Sequence, residues 1–147
     1  MILTRRGLYR AIDKDRVEKA IEVAESITSG EVRVAVSPLF WGNVQKVADR
    51  AFDRLGMRAT VERNGVLLFV VPSRRRFAVL GDTGIHEKVH PGFWEEVAEE
   101  ISRHFRNGDF TGGIVAALER LSTELAVHYP RRSDDIDELP NAVEFLD

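Results

Sequence analysis

Residues 66–80 read VLLFVVPSRRRFAVL. Val66 to Val71 is an unbroken apolar run bounded by Asn64-Gly65 and Pro72. Such a run suits a strand buried on both faces, in the middle of a layered sheet. Arg76 to Leu80 is a second short strand, and Ser-Arg-Arg-Arg makes the connection. A loop this short permits only an antiparallel hairpin, because a parallel crossover needs a dozen residues or more.

Upstream, Asp13 to Thr28 has helical period through Val17, Ala20, Ile21, Ala24 and Ile27. Asp13 and Asp15 suit the positive end of its dipole, and Ser29-Gly30 can end it. Glu31 to Ser37 alternates Val32, Val34 and Val36 with other residues, a strand with one strongly apolar face. Asn43 to Leu55 is helical again, with Gly56 as its stop. Downstream, Phe93 to Phe105 and Ile114 to Tyr129 are amphipathic helices, and Asn107-Gly108 breaks between them. Strands mixed with helices in this order imply an α/β domain, a three-layer α/β/α sandwich around a small, mixed, mostly parallel sheet. The first strand, the Asn43 helix and the Val66 strand form a βαβ unit, which should be parallel and right-handed.

The chain has 147 residues and suits one domain. Residues 1–130 form the domain, and 131–147 an acidic arm packed on it, with two arginines against six carboxylates. Ala142 to Leu146 reads as an edge strand. A net charge of −3 provides no general attraction to nucleic acid or an anionic membrane. Cysteine is absent, which removes disulfides, thiolate catalysis and cysteine-based zinc sites. The start, MILTRRGLYRAIDKD, lacks the apolar segment of a signal peptide, and no run approaches the ~20 apolar residues of a membrane span. A cytoplasmic protein without nucleic-acid or membrane partners is expected.

Strand direction brings three polar segments to one sheet end: Ser29-Gly30-Glu31, Arg63-Asn64-Gly65 and Gly81-Asp82-Thr83-Gly84. Glu31, Asn64 and Asp82 are hard oxygen ligands of the kind calcium or magnesium takes. Arg63 and Arg33 offer guanidinium forks for a phosphate. The competing reading is structural: a helix cap, a turn, and a turn tied by an aspartate side chain. Ser29, Glu31, Arg63, Asn64 and Asp82 are the candidate polar site, with Glu31, Asn64 and Asp82 as its metal ligands.

The letters HEKVH, residues 86–90, match the zinc-protease pattern. That chemistry needs both histidines one turn apart on a continuous helix. Gly84 and Pro91-Gly92 bracket too short a helix, and a third ligand is missing from the usual places. No zinc and no peptidase activity are expected. No phosphate-binding glycine loop or dinucleotide fingerprint occurs either, so no nucleotide cofactor is expected.

Taken in order, TSGEVRV, RNGVLLFV, FAVLGDTGIHEKV, FWEEV and HFRNGDFTGGIVAALERL resemble the TPM domain family, named for thylakoid, phosphatase and metazoan members. The resemblance covers roughly residues 21–129 and implies an α/β/α sandwich. It carries over to Ser29, Gly30, Glu31, Asn64, Gly65, Gly81, Asp82 and Gly84. Family members are described as acid phosphatases, as nucleotide hydrolysing, as calcium binding, or as accessory and interaction domains. The expected function is a stand-alone binding or accessory module that takes a divalent cation weakly, its partner a protein or a small phosphorylated ligand. The alternative is a divalent-metal-dependent acid phosphatase or nucleotide phosphohydrolase.

Overall fold

The structure, a computed structural model, describes residues 7, 10–38, 41–133 and 139–146. Most of the basic N-terminal stretch and residues 134–138 of the acidic arm lie outside these.

Helix α1 (Lys14–Ile27) begins where the Asp13 carboxylate accepts a hydrogen bond from the Arg16 amide, 3.2 Å. It ends at Thr28, whose backbone is extended and bridges to Pro130, one step before the expected Ser29-Gly30 stop. Strand β1 (Glu31–Val36) follows, and then helix α2 (Val44–Arg54), capped by Asn43. Strand β2 (Gly65–Val71) passes through a 3-10 turn, Pro72–Arg74, and left-handed Arg75 into strand β3 (Arg76–Gly81). A single turn, α3 (Thr83–His86), leads to α4 (Phe93–Arg106), α5 (Phe110–His128) and the short strand β4 (Glu144–Phe145).

The sheet order is β3-β2-β1-β4. Strand β1 pairs parallel with both β2 and β4, while β2 and β3 are antiparallel. Val32, Val34, Val36, Val66, Leu68 and Val70 pack under α1, α4 and α5. The alternate residues Ala35, Leu67, Phe69 and Val71 meet α2 through Ala48, Ala51 and Phe52. Period-two alternation therefore feeds two cores at once, which makes the three layers. Every residue of β1 and β2 is buried. Truncating Phe69, fully buried between sheet and α2, should cost about 3–5 kcal/mol.

Helix α5 starts four residues before the expected Ile114. The Asp109 side chain accepts a hydrogen bond from the Gly112 amide at 2.9 Å and so caps a helix that runs through Gly112-Gly113. Gly113 permits the α4–α5 approach, since a Cβ there would lie 2.8 Å from the Phe105 ring. Helices α1 and α5 run parallel: the Asp13 amide donates to Thr111 Oγ1 near both starts, and Thr28 meets Pro130 near both ends.

The acidic arm contributes Leu139, Val143 and Phe145, all buried. Strand β4 covers only the second half of the outer side of β1, at Ala35 and Val36. Nearer the start of β1, the buried Glu25 carboxylate accepts the Val32 amide at 3.3 Å. Among the described residues, no helix is long and apolar enough to cross a membrane.

Candidate functional site

Glu31 opens β1, Asn64 immediately precedes β2, and Asp82 immediately follows β3. The register pairs Glu31 with Gly65 and Val66 with Gly81, so the three meet at one end of the sheet. Two backbone hydrogen bonds stitch that end: the Glu31 amide to the Asn64 carbonyl, 3.3 Å, and the Asp82 amide to the Gly65 carbonyl, 2.9 Å. All three side chains belong to buried residues.

Asp82 is the electrostatic centre, with a side chain 0% exposed. Its Oδ2 accepts from Arg63 Nε at 2.7 Å and its Oδ1 from the same guanidinium at 3.0 Å. Oδ1 also accepts from the Thr83 amide at 2.7 Å and meets Arg58 at 3.5 Å. Burial pushes this carboxyl upward, but the Arg63 hydrogen bonds, the Thr83 amide and the two guanidinium charges outweigh it and hold the pKa below the ordinary carboxylate value. Reciprocally, the Asp82 hydrogen bond raises Arg63. Arg63 reaches this position from a left-handed backbone, φ 53°, rare for a residue with a Cβ.

Asn64 donates from Nδ2 to the Ser29 carbonyl at 3.4 Å, and its amide donates to Thr60 Oγ1 at 3.1 Å. Its Oδ1 is buried and accepts no hydrogen bond from the described residues. Ser29 thus enters through its carbonyl, while its own amide is spent on the Tyr129 carbonyl, 2.9 Å. Gly84 closes the cluster from above: a Cβ would lie 2.3 Å from the Glu62 carbonyl oxygen, so only glycine fits. Its carbonyl accepts from the Tyr129 hydroxyl at 2.9 Å, tying the site to the end of α5.

Arg33 requires a correction. It shares the α2-facing side of β1 with Glu31 and Ala35, but it lies further along the strand, where it donates to the Leu55 carbonyl at 3.1 Å and to Glu144 at 2.6 Å, 4% exposed. Buried and paired there, it does not reach a phosphate at the sheet end. Arg58, from the segment between α2 and β2, takes that place beside Arg63, and nothing in its local sequence signals it. The histidines of HEKVH part company: α3 ends at His86, which packs on Trp94, while His90 bridges Glu96 (3.0 Å) and Glu124 (3.4 Å). Among the described residues, no three histidine, aspartate or glutamate side chains converge as a metal-holding group. The oxygen donors at the sheet end are two carboxylates and one amide carbonyl.

Fold and sheet end together describe a three-layer α/β/α domain with a glycine-framed polar end. The TPM domain family matches residues 5–124, and the chain belongs to that family. It is similar over nearly its whole length to the BA42 protein of the psychrophilic bacterium Bizionia argentinensis, whose structure was solved by NMR. The two are 35% identical, with a TM-score of 0.85 over 91% of this chain and 92% of that one. The N-terminal domain of cg2496 from Corynebacterium glutamicum shares the fold at 13% identity, with a TM-score of 0.61 over 84% of this chain and 77% of that one. No curated protein matches the sequence.

Proposed function

We propose that the domain is a binding or accessory module whose ligand-facing end is the cluster built on Glu31, Arg63, Asn64 and Asp82. On this reading calcium or magnesium binds there weakly, with Asn64 Oδ1 and the carboxylates of Glu31 and Asp82 as hard oxygen ligands. The observation that carries it is Asn64 Oδ1, a buried oxygen that accepts no hydrogen bond from the described residues, at the entry to β2 between the start of β1 at Glu31 and the exit from β3 at Asp82. Low affinity follows from the donor set. Three side chains fall short of the six to eight oxygens calcium takes, and the cation must displace Arg63 from Asp82.

The second reading is a divalent-metal-dependent acid phosphatase or nucleotide phosphohydrolase. It is favoured by Arg63 and Arg58, whose side chains are 44% and 53% exposed. Displaced from Asp82, either guanidinium has the geometry to clasp a phosphate. A bound cation would polarise the phosphoryl oxygen.

Thermal melts in calcium, magnesium and EDTA, followed by a p-nitrophenyl phosphate assay, separate these readings. A rise in Tm with cation and no turnover supports the module, because a ligand that binds only the folded state stabilises it. Asp82→Asn should remove that rise, and Arg74→Ala, at the other sheet end, should leave it. A Tm unmoved by millimolar cation defeats the cation assignment, and metal-dependent turnover selects the enzyme.

A further inference from the structure

The sheet order β3-β2-β1-β4 puts two strands outermost, the two-residue β4 and the six-residue β3. The ladder of β3 to β2 uses only half of its backbone. The Asp82 amide donates to the Gly65 carbonyl, so in this register Arg76, Ala78 and Leu80 also turn their amides and carbonyls inward to β2. Phe77, Val79 and Gly81 therefore turn theirs outward. No described residue donates to or accepts from those groups.

Two cavities run along this edge between β3 and α2. One, of about 590 Å³, is lined by Asn43 and Gln45 of the α2 start and by Arg75, Arg76 and Phe77. The other, of about 290 Å³, is lined by Gln45, Asp49 and Phe52 of α2 and by Val79, Leu80 and Gly81. Gln45 belongs to both, so they are two reaches of one track along the whole of β3. Phe77, Val79 and Leu80 are only partly buried beside it. At the Arg75–Arg76 end, Trp41 is 78% exposed next to Gly42, which lines the first cavity.

The backbone decides what fits. Donors and acceptors at every second residue, about 7 Å apart, are matched along their length by another extended chain. Charge decides whose chain. Arg75 and Arg76 are exposed at one end of the track, while at the other end Arg58 is already paired with Asp53 and Asp82 and Asp49 lines the cavity, so the basic end is the Arg75–Arg76 one. The edge strand of a second copy, Arg-Phe-Ala-Val-Leu-Gly, carries no acidic residue to set beside Arg75 and Arg76. We propose that β3 is an acceptor edge for an extended peptide of another protein, which adds to the sheet as a fifth strand and places an acidic residue beside Arg75 and Arg76.

The test uses the full chain as bait for a displayed library of random ten-residue peptides, and then a synthetic copy of the enriched sequence. Hydrogen exchange is read residue by residue. The expected peptide alternates apolar side chains and carries Asp or Glu at one end. It slows the Phe77, Val79 and Gly81 amides by about tenfold or more. Val79→Pro removes an outward N–H and spares the β2 ladder, a place where an edge strand tolerates proline, and should abolish binding. Arg76→Glu alters an exposed side chain, leaves folding intact, and should lose the acidic peptide. The proposal is overturned if no peptide is enriched, if protection falls elsewhere, or if Arg76→Glu keeps the same peptide at full affinity. Slowing of the same three amides by raised protein concentration alone overturns it in favour of a second copy of this chain.

Discussion

Arg63 holds Asp82 with two parallel hydrogen bonds, 2.7 and 3.0 Å, across the gap between the entry to β2 and the exit from β3. The hairpin is thereby closed at the end opposite its turn. Because Arg63 sits at φ 53°, ion pair and backbone strain are separable by substitution. Arg63→Ala and Arg63→Gly remove the same guanidinium, yet glycine accepts the left-handed backbone at no steric cost. In urea titrations the glycine variant is expected to be the more stable of the two. An equal midpoint for both would show that the backbone there relaxes freely.

Asp82 also fixes the pH response. Its folded pKa is lowered, so its contribution is present above the unfolded value near ~3.9 and is lost as pH falls through the folded value. Wild type should therefore lose stability more steeply below about pH 4 than Asp82→Asn. Parallel acid-denaturation slopes for the two proteins would contradict this assignment.

His90 gives the opposite sign. Its hydrogen bond to Glu96 raises its pKa, assisted by the charges of Glu96 and Glu124 and opposed by slight burial. The stability it contributes is fully present below the unfolded value near ~6.5 and fades as pH rises through the folded value. His90→Gln should flatten the dependence of Tm on pH from about 6 upward.

Removal of residues 131–147 should do more than subtract side chains. Val143 and Phe145 leave the core, at roughly 1.5–3 kcal/mol each. In addition Arg33 loses Glu144 and remains a buried charge, which is more costly than removing the pair together. Adding Arg33→Met to the truncated chain should recover part of the loss in a urea midpoint measurement. If it worsens the truncated protein, the Leu55 carbonyl is the contact that matters.

The hairpin, the two-faced burial of β2 and the meeting of Glu31, Asn64 and Asp82 were legible because they follow from local pattern and strand direction. An apolar run with no polar alternation has to be covered twice, and a short connection has to turn back. Legibility stopped where contacts depend on distant partners. Arg33 and Arg63 look alike in sequence, yet one is spent on Glu144 and the other on Asp82. Arg58 joins the site only through the path from α2 to β2. Apolar period starts the last helix only at Ile114, and the Asp109 cap carries it back through Gly112-Gly113 to Phe110. The His90–Glu124–His128 cluster joins a loop to α5 and has no local signature.

Long-range stitching of the first structural segment also bears on how the protein reaches its fold. Thr111 holds the start of α1 from 98 residues away, the Tyr129 carbonyl receives Thr28 from 101, and Glu144 neutralises Arg33 from 111. Strand β1 emerges early in synthesis but cannot be completed until β4 has been made. Loop closures of that size are slow, and an unfinished apolar strand exposed in the meantime is open to misassembly. The carboxylate that α1 lays on the Val32 amide is supplied only seven residues away, and so is available from the outset to guard that edge while the rest of the chain arrives.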